Sequence, residues 1–244
     1  MNTAVLRTEV RLFAREPGSL FWILVFPPLL LAIVGSIPSY REPQETLDGL
    51  RLVDIYVGIA VLLGMIVAGT QAMPAALTAY REQGVLRRMS TTPVRPTALL
   101  AAHTLVHGLA GVLAALVPLL IGRLVFDVAL PRQPYGYALA LLCGVLVSLA
   151  MGALISALAP NVRIATAIGT AVLFPMMFCA GVWLPVQAMP DLLADIVRCT
   201  PFGAAAEALR EAAAGDWPSW VHLGVLAGWA VLLSAAAVRW FRWE

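Results

Sequence analysis

IYVGIAVLLGMIVAGTQAMPAALTA, residues Ile55–Ala79, runs on without one charged side chain and stops at YREQGVLRRMSTTPVRP, Tyr80–Pro96, where Arg81, Glu82, Arg87, Arg88 and Arg95 crowd together. A second uncharged run, Ala98–Ile121, begins just beyond. A helix needs ~20 apolar residues to cross a hydrocarbon core, and lipid offers no partners for backbone N–H and C=O groups. Each run therefore reads as a transmembrane helix, and the charged piece between them lies in water at one membrane face.

Working outward, four more runs of spanning length stand at Leu20–Ile37, Tyr137–Ala159, Ile164–Leu184 and Trp220–Val238. The chain is 61% hydrophobic and 12% charged, far from the ~25% charge of soluble domains. The pattern predicts an all-α integral membrane protein, one domain over residues 1–244 with six spans. With both termini placed inside, Arg7, Arg11, Arg15, Arg81, Arg87, Arg88, Arg95, Arg163, Arg239 and Arg242 fall inside and only six arginines outside. Basic residues favour the cytoplasmic side, so both termini are predicted cytoplasmic.

Before the first span, Val5, Leu6, Val10, Leu12 and Phe13 alternate with Arg7, Arg11 and Arg15. This predicts an amphipathic interfacial helix within residues 1–17, broken by Pro17 and Gly18. The connection 185–216 is too apolar for a free loop: Leu192, Leu193, Ile196 and Val197 share a helical side, and a second helical run, Gly203–Ala214, follows Pro201. Two short re-entrant helices in the outer leaflet fit, since backbone at that depth needs internal hydrogen bonds. In the fourth span Gly144, Ser148, Gly152 and Ser156 form a ridge of small residues, a close-packing seam read as internal.

All 16 basic residues are arginine. A phosphate-binding loop of the Walker type needs a lysine, so this chain carries none. His103 and His107 share one face of the third span, but neither a third ligand nor the glutamate of a zinc-protease helix accompanies them, and a structural or path-lining role is expected over a metal. Asp191 with Asp195, and Glu207 with Glu211, lie one helical turn apart and could serve acid–base chemistry in a membrane enzyme. A solvated polar face explains them better. Cys143, Cys179 and Cys199 are unclustered and read as small hydrophobes. Phe174, Met176, Met177, Phe178 and Trp183 give the fifth span an adaptable apolar end, a candidate substrate path or ordinary packing. Ionisable groups at mid-membrane, which an ion-driven transporter wants, are nearly missing from the spans.

Two segments resemble the ABC type-2 transporter permeases, in particular the drug and antibiotic exporters. One is Arg81-Glu82-x-Gly84 followed by Thr92-Pro93-Val94; the other is Phe178-x-x-Gly181-Val182 leading to Pro185, Met189-Pro190, Pro201 and Ala208-Leu209-Arg210. Where the family often has a lysine near the start of its third span, this chain has His103. The resemblance implies a cytoplasmic coupling helix at 80–92, with Arg81, Glu82, Gly84, Val85, Leu86, Arg87, Arg88 and Met89 meeting a separate ABC ATPase subunit. It further implies two ATPase copies carrying ATP and Mg, and a second permease copy, a homodimer being expected. The chain itself then binds no cofactor or metal and catalyses no reaction, contacts membrane lipids rather than nucleic acid, and resides in a bacterial inner membrane. The expected activity is export of amphipathic drug-like or lipid-like molecules, with lipid or glycan export as the nearest alternative.

Overall fold

In the computed structural model, residues 3–43, 49–85 and 96–240 are described. Nine helices form the framework among them: α1 Thr3–Ala14, α2 Pro17–Ser36, α3 Leu52–Glu82, α4 Pro96–Phe126, α5 Pro134–Leu158, α6 Val162–Cys179, α7 Asp191–Arg198, α8 Pro201–Ala214 and α9 Trp220–Trp240. Six of them, α2 to α6 and α9, are long and apolar enough to cross a membrane. They make a multi-pass bundle with α1 at the terminus-bearing end and α7 and α8 at the other.

α3 is the central helix. Of its most apolar window 72% is buried inside the bundle, against 17% for α6 and 22% for α9. Its half nearer Leu52 packs on α2, α4 and α8, while its last turns pack on α5 and α6. The main core joins Leu62, Met65 and Ile66 of α3 to Val147 and Met151 of α5, Phe202 and Ala205 of α8, and Leu226 of α9.

Prolines shape the spans. Pro74 has no N–H to give the Thr70 carbonyl, and the turn just before it, Ala68–Ala72, widens to π-helix. Pro27 and Pro28 follow a similar turn, Phe21–Val25, in α2. Small residues then let backbone approach the loosened turn of α3. The α5 ridge lies against it: Gly144 near Met65, Ser148 donating from Oγ to the Met65 carbonyl at 2.6 Å, and Gly152 beneath the Gly69 carbonyl. From the other side Gly169 of α6 sits directly on the Thr70 carbonyl. The small-residue ridge is thus an internal seam.

The fifth span ends at Cys179, short of the expected Leu184. Gly181 takes φ 84°, and Val182 N donates back to the Met177 carbonyl at 3.1 Å, a left-handed glycine stop that no periodic pattern of hydrophobicity announces. Residues 185–216 contain α7 and α8, with Thr200 capping α8 through Gly203 N at 3.2 Å and Gly215 closing it at φ 114°. Of residues 80–92, Tyr80–Glu82 are the last turn of α3, and 86–92 lie outside the described residues.

Candidate functional site

The last turn of α3 is fastened sideways to the connection between α5 and α6. Arg81 Nη2 donates to the Ala159 carbonyl, and Val162 N donates to Glu82 Oε1 at 3.1 Å. Asn161 caps α6, its Oδ1 accepting from Ile164 N at 2.8 Å. Gly84, at φ 65°, stops the helix, and Val85 beyond it is half-buried. Arg81 and Glu82 therefore make α3 and the α5–α6 junction one mechanical unit. Leu86, Arg87, Arg88 and Met89 lie outside the described residues.

One turn higher, the chain buries a carboxylate. Glu9 of α1 is 4% exposed and accepts from Tyr80 Oη at 3.0 Å, and His103 Nδ1 of α4 stands 3.1 Å from its Oε2. His103 Nε2 stands 3.3 Å from the Met73 carbonyl, so each ring nitrogen lies beside an oxygen, one from α1 and one from α3. His107 packs on His103 with centroids 4.2 Å apart, takes the edge of Phe13, and directs Nδ1 to the His103 carbonyl. The two histidines thus join α1, α3 and α4. Glu9 escaped sequence reading, yet it falls between Leu6 and Phe13 on the face α1 turns inward, while Val10 and Leu12 are exposed.

Halfway along α6 a polar strip meets α3. Gln71 Nε2 donates to Thr170 Oγ1 at 3.2 Å, and Thr166 stands one turn away on the same exposed face. A cavity of about 380 Å³ opens here, lined among others by Ser19, Trp22, Gln71, Thr166, Thr170 and Leu173. Phe174 continues the strip, exposed and stacked 6.3 Å from Trp183. Met176, Met177 and Phe178 are instead half-buried: the methionines pack on the main core, and Phe178 packs under α7.

At the opposite end the paired carboxylates divide. Asp191 and Asp195 are exposed. Glu207, expected on a solvated face, is 2% exposed and bound by Arg210 Nε at 2.8 Å, with Arg198 Nε at 3.9 Å. Glu211 accepts from Ser219 N at 2.6 Å and lies 3.2 Å from His222. Arg198 at the end of α7 and Arg210 one turn on made Glu207 look solvated, but they fold over it and let it point inward. Glu207→Ala should lower stability by roughly 1–2 kcal/mol, while Asp191→Ala and Asp195→Ala should stay within about 0.5 kcal/mol of the parent; thermal unfolding in detergent reads all three. Arg51 closes the bundle nearby, bridging Asp54 at 2.7 Å and the Phe126 carbonyl at 3.2 Å. The Asp54 hydrogen bond raises its pKa above the ordinary arginine value, against the pull of burial.

Residues 2–213 match the family described as "ABC-2 type transporter". The protein named "Putative transport permease YvfS" in Bacillus subtilis (strain 168) is 27% identical over 228 residues, which are 92% of this chain and 90% of that protein.

Proposed function

The chain belongs to the ABC-2 type transporter family, and from that premise we propose that it is the permease subunit of an ATP-driven exporter of amphipathic molecules. It works with two copies of a separate ATPase subunit, which hold ATP and Mg, and with a second copy of itself. Both termini and the segment Tyr80–Pro96 face the cytoplasm of a bacterium, as the arginine distribution favours.

The observation that carries this reading is the fastening of Arg81 and Glu82 to Ala159 and Val162. A push delivered to residues just past Glu82 reaches α3, α5 and α6 together instead of bending one helix. The polar strip supports the other half of the reading. Gln71 and Thr170 lie on a bundle surface partway along their spans, the Gln71 amide reaching across to Thr170, and an amide at that depth is costly against lipid. They belong to a watered path between two copies, with Phe174 and Trp183 receiving the apolar part of the cargo.

Reconstitution with the ATPase subunit tests it. The wild-type chain is expected to raise ATP hydrolysis, and the double variant Arg87→Glu, Arg88→Glu to return it to the level of the ATPase alone. Gln71→Leu with Thr170→Val should keep the ATPase stimulation but reduce ATP-dependent uptake of a cationic dye into inverted vesicles. If no permease-dependent hydrolysis appears with any candidate ATPase and the charge reversals alter nothing, the reading fails. Labelled lipid flipping in place of dye uptake would assign lipid cargo.

A further inference from the structure

Away from that strip, at the end of the bundle opposite the termini, α3, the α4–α5 connection, the turn after α6 and α8 enclose a cavity of about 460 Å³. This lies within the ~300–1,000 Å³ range of small-molecule sites. Its floor is apolar and buried, made by Val57, Ile59, Leu62, Val128 and Leu209 among others. Its rim carries Arg51, Arg132 and Arg210 against Asp54 and Asp127.

Most of that rim charge is already matched. Arg51 pairs with Asp54 at 2.7 Å, Arg210 with the buried Glu207 at 2.8 Å, and Asp127 faces Arg123 at 3.5 Å. Arg132 differs: it is exposed, its stem lies over Gly215, and its guanidinium makes no hydrogen bond or ion pair among the described residues. Among the described residues the rim therefore holds one uncompensated charge, and it is positive. We propose that this cavity binds an anionic amphiphile, with an alkyl chain on the floor between α3 and α8 and a carboxylate or phosphate at Arg132.

The chemistry selects that class over its neighbours. A neutral alkyl compound fills the floor but forgoes the charged contact, and a cationic one brings like charge to Arg132. A guanidinium matches the two-oxygen edge of carboxylate or phosphate, and a hydrogen bond between charged groups is roughly twice as strong as a neutral one. The site goes beyond the permease reading, for it lies at another level of the bundle and stands whether or not the chain couples to an ATPase.

Native mass spectrometry of the full chain in non-ionic detergent tests it, with dodecyl phosphate and dodecanol as probes. The wild type is expected to bind dodecyl phosphate saturably and more tightly than dodecanol. Arg132→Gln should weaken the phosphate roughly tenfold and leave dodecanol unchanged. Gly58→Leu should abolish binding of both, since a Cβ there meets no atom within 4 Å and the longer side chain fills the cavity. Its thermal midpoint, unchanged or raised, separates filling from misfolding. Competition by phosphatidylglycerol would assign the occupant to the membrane leaflet, and no competition to a free amphiphile; either supports the site. Equal affinity for the two probes, no saturable binding, or wild-type binding by both variants overturns it.

Discussion

Gly169→Leu is expected to leave almost no monodisperse protein. A Cβ at residue 169 would overlap the Thr70 carbonyl, which is backbone and has no rotamer to yield. That carbonyl projects because Pro74 cannot bond it and the turn around it is π-helical. Accommodation would need α6 to retreat from α3, breaking the Gln71–Thr170 bond at 3.2 Å and the Glu82 contact at its start. Overpacking costs about 1–3 kcal/mol where side chains can shift, and occasionally more. Here a Cβ whose position the α6 backbone fixes meets a main-chain carbonyl, so the upper end or beyond applies, a large share of a total stability of roughly 5–15 kcal/mol. Gly228→Leu on α9, where a Cβ meets nothing within 4 Å, is the control and should elute as the parent does. Fluorescence-detected gel filtration reads both. A stable, monodisperse Gly169→Leu would show that α6 does not rest on that turn.

Glu9→Ala is expected to release α1 from the bundle. The change strips Tyr80 Oη and His103 Nδ1 of the acceptor through which they hold α1. Leaving a buried hydrogen-bonding group without its partner costs roughly 1–3 kcal/mol, and α1 has only limited apolar contact to offset it. Trypsin should then cut faster at Arg7, Arg11 and Arg15, which sit on α1 and its exit and are protected only while the helix is docked. Glu9→Gln keeps an acceptor for Tyr80 and should fall between the two. Wild-type cleavage rates for Glu9→Ala would remove this cluster from the anchoring of α1.

What the residues disclosed in advance follows from what lipid demands. A span must be a long apolar helix, so six spans and the two helices in 185–216 could be read without any knowledge of packing. The small-residue ridge of α5 was equally legible, because only close approach explains glycine and serine at every fourth place. Glu9 and Glu207 were not, because burial of an acid depends on partners from elsewhere in the chain or on arginines folding over it, and one-dimensional order shows neither. The early stop of α6 depended on one glycine's backbone angle amid apolar neighbours. Gln71 gave a fainter signal: a lone amide inside an uncharged run, whose partner on α6 only the fold supplies.

The widened turn at Ala68–Ala72 also changes what kind of object α3 is. One extra residue per turn advances everything after it by about 100° around the axis. Residues 52–67 and 73–82 are therefore two helices out of phase on a common shaft, the first bearing mainly on α2, α4 and α8 and touching α5 through Met65, the second mainly on α5 and α6. Each half thus keeps its own angular setting while the axis runs through the joint unbroken. The helix is built as a jointed shaft, one axis carrying two angular settings.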